Sequence, residues 1–77
     1  MMKDLVELLV KALVDRPDDV QISQVQGERA VVLEVRVAPD DVGKVIGKQG
    51  RIIHALRVVA KAAAAREGKR VVLEVLS

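Results

Sequence analysis

Val45-Ile46-Gly47-Lys48-Gln49-Gly50-Arg51-Ile52 is the stretch on which the reading of this chain turns. Two apolar residues lead into a pair of glycines, and an arginine and an isoleucine lead out. Glycine adopts backbone angles that other residues avoid and lets another backbone come close. Gly47-Lys48-Gln49-Gly50 therefore predicts a tight joint between two helices with almost no spare chain. At such a joint the loop amides and the unpaired N–H groups opening the next helix can point at phosphate oxygens, helped by the helix dipole. Lys48 adds a mobile positive charge. A glycine turn of purely structural purpose has the same four-residue form, so the flanking sequence has to decide.

Upstream, Pro39-Asp40-Asp41 opens a short helix running to about Ile46, since a proline and carboxylates suit a first helical turn. Downstream, a longer helix from about Arg51 to Arg66 places Ile52, Leu56, Val59 and Ala63 on one face and His54, Arg57 and Lys61 on another. Gly68 ends it. Beyond it, Val71, Leu73 and Val75 alternate with Arg70 and Glu74 to make a last strand, Arg70 to Leu76. Before the short helix, Arg29 to Ala38 alternates Val31, Leu33, Val35 and Val37 against Glu34 and Arg36. Val20 to Gln26 precedes it across a Gly27-Glu28 turn, and the two read as an antiparallel hairpin. The chain opens with an amphipathic helix, about Lys3 to Asp15, striped by Leu5, Leu9 and Leu13 with Val6 and Ala12 beside them and Leu8, Val10 and Val14 at its shoulders; Arg16-Pro17-Asp18 stops it. The order helix, strand, strand, helix, helix, strand (α-β-β-α-α-β) needs a crossover between the last two strands, which can then lie parallel. An α+β fold follows: a three-stranded mixed sheet with helices packed on one face, as one domain over residues 1–77.

Composition narrows the function. At 77 residues and 8.4 kDa, such a chain buries only about 60–65% of its unfolded surface. A stabilising partner subunit would be no surprise. Hydrophobic residues are 51% and charged ones 31%, which excludes both a disordered tail and a membrane protein. Glu7 and Lys11 interrupt the apolar start, and the longest uncharged stretch, Val20 to Gly27, is far short of the roughly 18 residues that span a bilayer. A soluble, cytoplasmic protein is expected. The absence of cysteine removes disulfides, thiolate chemistry and cysteine-ligated metals. With one histidine (His54), two serines (Ser23 and Ser77) and no threonine or tyrosine, the chain lacks the parts of an active site. No enzyme, no metal site and no cofactor are expected.

Charge is unevenly divided. Between Gly43 and Arg70, eight cations (Lys44, Lys48, Arg51, Arg57, Lys61, Arg66, Lys69 and Arg70) face Glu67 alone, a net +7. The remaining residues carry −5, so one part of the molecule is suited to polyanions. A Walker A loop is excluded by spacing: Gly43 and Gly47 enclose three residues rather than four, and Gln49 stands where Ser or Thr would hold magnesium.

Through Val45–Ile52 and the order of elements around it, the chain resembles the KH (K homology) family of RNA-binding domains in its type II arrangement, over its whole length. A stand-alone domain of this size looks like the small bacterial single-KH proteins of the KhpA type. The resemblance implies that about four nucleotides of single-stranded RNA lie in a groove with their backbone clamped at the glycine loop. Gly47, Lys48, Gln49 and Gly50 would contact phosphate and sugar, and Lys44, Arg51 and Arg57 would flank the track. Val45, Ile46, Ile52 and the second strand near Val35 to Val37 would floor the groove, with strand backbone groups reading base edges, while the three apolar side chains also serve the core. Arg66, Lys69 and Arg70, at the far end of the long helix, are expected to be solvated or to steer a tail. The resemblance further implies an RNA chaperone or post-transcriptional regulator, a homodimer, and pairing with a larger KH-containing protein. The wide apolar face of the first helix and the off-stripe Ile53 and Val58 are the candidate contacts. The rival readings are a protein-docking subunit with incidental nucleic-acid binding, and a single-stranded DNA binder using the same groove.

Overall fold

A computed structural model describes residues 2–77, in which α1 (Met2–Leu13), β1 (Gln21–Gln26), β2 (Ala30–Arg36), α2 (Val42–Ile46), α3 (Arg51–Ala65) and β3 (Arg70–Leu76) follow one another in the expected order. The two Pro-Asp-Asp triplets each form a single 3-10 turn, Pro17–Asp19 and Pro39–Asp41. Proline suits the first position of each, because its fixed φ is already helical and its missing N–H would have had no partner there.

β1 pairs antiparallel with β2, Ile22 opposite Val35, and β3 pairs parallel with β2, Leu73 opposite Leu33. β2 is therefore the central strand of a mixed sheet, bonded on both edges, and β1 and β3 each keep one edge open. The pleat sends alternate residues to opposite faces. Ile22, Val31, Leu33, Val35 and Leu73 turn toward the helices and join Val6 and Val10 of α1, Val45 of α2, and Ile53, Leu56, Ala60 and Ala64 of α3 in one core. The opposite face is uncovered and carries the partly exposed row Val25, Val32, Val72.

Two helical faces are rotated from expectation. On α1 the buried residues are Met2, Val6 and Val10, while Leu9 and Leu13 are half-buried and Leu5 is exposed. On α3 the buried set is Ile53, Leu56, Ala60 and Ala64, one residue around from Ile52, Val59 and Ala63, which are half-buried. Ile53, expected off the stripe and free for a partner, is core; Val58 is exposed. An apolar periodicity sets a broad face, but which edge of it lies deepest depends on how closely the helix approaches the sheet. Ala60 and Ala64, both fully buried, let the α3 backbone come nearer than larger side chains would.

One buried polar group ties the two ends of the helical layer together. Asp41 is 1% exposed, and its carboxylate accepts the backbone N–H of Asp15 at 3.1 Å and of Arg16 at 3.0 Å, where the chain leaves α1. This capture accounts for α1 ending at Leu13, two residues before the expected Asp15: the amides beyond it are bonded to Asp41. Burial pushes the Asp41 carboxyl up, but the two N–H donors, with the charges of Lys44 and Arg16, outweigh it and hold its pKa below the ordinary 3.8.

The packing makes two outcomes measurable. Ala60→Leu overfills the α3–sheet contact and lowers the free energy of unfolding by about 1–3 kcal/mol in urea titrations; an unchanged midpoint would mean that α3 lies farther from the sheet. Because the folded pKa of Asp41 is depressed, its contribution is whole above about pH 4 and is lost as pH falls through the lower folded value. Asp41→Asn therefore melts below the wild type at pH 7, and the gap narrows on acidification below about pH 4. A gap that is constant from pH 7 to pH 3 contradicts this role.

Candidate functional site

Three positive φ angles within four residues reverse the chain between α2 and α3. Gly47 sits at φ 77, ψ 172, Gln49 at φ 58, ψ 24, and Gly50 at φ 74, ψ 17. The Gly47 N–H closes α2 on the Gly43 carbonyl at 2.8 Å, the Gly50 N–H donates to the Gly47 carbonyl at 3.1 Å, and the Arg51 N–H donates to the Lys48 carbonyl. Among the described residues, the amides of Lys48 and Gln49 donate to no backbone carbonyl, and both residues are exposed. The joint thus keeps two backbone donors and the Lys48 ammonium in reach of solvent, at the start of a 15-residue helix whose dipole favours an anion there.

The two glycines are required for different reasons. A Cβ on Gly47 would lie 2.6 Å from Ile52 Cγ1 and 2.9 Å from Ile52 Cβ, so the bare backbone is what lets Ile52 pack across the joint. Its φ and ψ also fall in a region that only glycine occupies freely. Around Gly50 there is room, the nearest atom to a Cβ being Ile53 Cγ2 at 3.9 Å, and there the left-handed conformation alone asks for glycine.

From this joint, Gly50, His54, Arg57 and Lys61 step along one side of α3 at intervals of three or four residues. Arg57 donates from Nε and Nη2 to the Leu73 carbonyl at 3.4 and 3.3 Å, reaching the open edge of β3. A groove lined by Arg57, Lys61, Val71, Val72, Leu73 and Glu74 runs between that helix side and the strand edge.

The residues expected at the site divide accordingly. Gly47, Lys48, Gln49, Gly50 and Arg51 form the joint, with half-buried Ile46 and Ile52 beneath it and Arg57 farther along α3. Lys44 faces elsewhere. Its ammonium pairs with Asp15 and lies 3.7 Å from Asp41, on the α1 side. The hydrogen bond that Lys44 donates to Asp15, with the charges of Asp15 and Asp41, outweighs partial burial and raises the Lys44 pKa above its ordinary 10.5, so it stays protonated as part of the Asp41 tie. The expected strand floor is also corrected. Val35 and Val45 are fully buried and Val37 is 3% exposed; β2 is bonded on both sides, and the Val37 N–H donates to the Leu76 carbonyl at 3.1 Å. The strand with unpaired groups beside α3 is β3 instead. Lys61 and Val71–Glu74 were absent from the expected site; the i+4 step from Arg57 pointed to Lys61, whereas the open edge of β3 depends on the strand order.

Comparison with known proteins gives the family. A family model described as "KhpA/KhpB, KH domain" matches residues 3–75. The RNA-binding protein KhpA of Clostridium acetobutylicum is 60% identical over 97% of this chain and 100% of that one, and its namesake from Clostridium perfringens is 56% identical with the same coverage. That of Aquifex aeolicus is 55% identical over 97% of this chain and 95% of its own. Among solved structures, a variant of Aquifex aeolicus Era superposes with a TM-score of 0.69 at 16% identity, over 96% of this chain and 29% of that one, a likeness of fold alone.

The contrast between the glycines gives a stability test. Gly47→Ala costs about 1–3 kcal/mol from strain, with the Ile52 clash added, whereas Gly50→Ala costs less because nothing crowds its Cβ. Urea titration of both variants measures the order, and equal losses would remove the Gly47–Ile52 contact from the account.

Proposed function

The chain belongs to the KhpA/KhpB KH-domain family, and from that premise we propose that it holds short single-stranded RNA segments along the Gly47–Gly50 joint and the α3–β3 groove. The observation that carries the proposal is the pair of unpartnered, exposed amides at Lys48 and Gln49, opening onto a basic helix side and a free strand edge. Phosphate and sugar oxygens meet those amides, Lys48 and Arg51. Arg57 and Lys61 continue the track, and bases turn toward β3, where backbone groups near Leu73 read their edges. Ile46 and Ile52 support the joint from below.

The chain has no Phe, Tyr or Trp, so it forgoes base stacking on aromatic rings, worth about 1–3 kcal/mol per base. Affinity then comes mainly from phosphate contacts. It is modest, falls steeply with salt and discriminates little between sequences. Such a module suits an RNA chaperone or post-transcriptional regulator acting in the cytoplasm on many transcripts. Duplication as a homodimer, or pairing with a larger KH-containing protein, would raise avidity without new contacts. Leu8, 67% exposed, and Val58, 53% exposed, are the apolar surface such pairing would use.

Lys48→Asp with Gln49→Asp tests the reading. Both glycines remain, and Asp tolerates the left-handed angles of position 49. Expected is a loss of at least about tenfold in affinity for single-stranded RNA near 0.1 M salt, with the thermal midpoint within about 3 °C of the wild type. Unchanged RNA affinity overturns the proposal.

A further inference from the structure

The other end of α3 gathers cations that the joint does not use. Arg29, from the turn before β2, and Arg70, at the start of β3, are brought side by side by the parallel pairing: the Arg70 N–H donates to the Arg29 carbonyl at 2.9 Å, and Ala30 lies opposite Arg70. With Ala30 and Gly68 they line a recess open to solvent, and a Cβ placed on Gly68 would find nothing within 4 Å. Lys69 lies in sequence between two of its walls, and Arg66 is two residues before Gly68. Among the described residues, none of the four cations forms an ion pair, although Glu28 and Glu67 are neighbours in the chain.

Cations at a helix C-terminus are ordinarily explained by the negative end of the dipole. That account covers Arg66 but not Arg29, which comes from a different element. The dipole end is also largely closed: the Ala64 carbonyl accepts from Glu67 and Lys69, and the Ala65 carbonyl from Gly68. Arg29 and Arg70 both line the recess and neither is paired with a carboxylate, so an anion there would meet two uncompensated guanidiniums. Arginine also grips phosphate through two N–H groups at once. The 15 residues of α3 separate this recess from the Gly47–Gly50 joint by about 22 Å, with Arg57 and Lys61 on the side between.

We propose that Arg29 and Arg70 form a second phosphate-binding station, which takes the sugar-phosphate backbone of the same strand after it leaves the joint. This rests on the RNA reading above and extends it. Segments of about four nucleotides occupy the joint and groove alone, and longer ones also reach the recess. Length of strand, rather than base sequence, is what the second station recognises.

Oligouridylates of about four and about twelve nucleotides are titrated, by amide-detected NMR and over a range of salt, into the wild type, into Arg29→Gln/Arg70→Gln and into Lys48→Asp/Gln49→Asp. Expected for the arginine variant is unchanged affinity for the short probe and at least about a fivefold loss for the long one. Its log–log salt slope should be smaller by about 1.4, two phosphates at about 0.7 each. In the wild type only the long probe should shift the amides of Gly68 and Arg70. Equal losses for both probes, or no loss for either, overturn the second station, as does a long probe that leaves those amides unmoved. Failure of the underlying reading is a separate result: the joint variant would then bind the short probe as tightly as the wild type does.

Discussion

A missing side chain at Gly47 governs how the helical layer is built. Ile52 lies so close to the Gly47 backbone that even one methyl group there would overlap it. Because the contact is that close, α2 and α3 are joined within four residues and the joint is folded over an isoleucine. Two consequences follow from the same geometry. The chain must pass through positive φ at Gly47, Gln49 and Gly50, so regular i to i−4 bonding is interrupted and the amides of Lys48 and Gln49 are left over. The half-buried Ile52 also anchors the joint to the core, so these donors sit on a fixed support.

The charges are handled in two ways. Asp41 is nearly inaccessible, and each of its carboxylate oxygens accepts a backbone N–H, with the Lys44 ammonium 3.7 Å away. A buried carboxylate is tolerable only when its acceptor capacity is used in this manner. Among the described residues no buried side-chain polar atom lacks a partner. The cations of the joint and of α3 are the reverse case: Lys48, Arg51 and Lys61 are exposed and take part in none of the ion pairs. Lys44 belongs to the first group although its place in the sequence suggests the second. A count of charges along the chain sees that it lies four residues from Lys48 and three from Asp41, whereas only the fold brings Asp15 to it.

That difference shows what the sequence could and could not disclose. Element order, strand pairing and the parallel crossover were legible, because alternation, proline placement and glycine stops are local signals. The glycine joint was legible for the same reason. The depth of burial was not: Leu5 and Val6 are equally plausible core residues by periodicity, and only the position of the sheet makes Val6 buried and Leu5 exposed. The strand beside the groove was missed on similar grounds. Val35 to Val37 directly precede the short helix, but sheet order places β2 in the middle, where its N–H and C=O groups are already bonded. Lys44 and the strand are both tertiary facts, settled by Asp15 and by β3, each more than 20 residues away in the chain.

The open edge of β3 links stability to recognition. An unpaired strand edge invites another strand to add to it, and proteins commonly guard such edges with charged side chains. Arg57 does this at Leu73, but at 3.3 and 3.4 Å its contacts are longer than the usual 2.9–3.0 Å of an N–H···O bond, and the residue is exposed. A guard held this loosely is exchanged at small cost for another donor. A base edge offering an N–H to the Leu73 carbonyl would release Arg57 to a phosphate, so one exchange satisfies both the base and the backbone. Under the RNA reading proposed above, the cation that discourages β-strand addition is also the one that lets a nucleotide in.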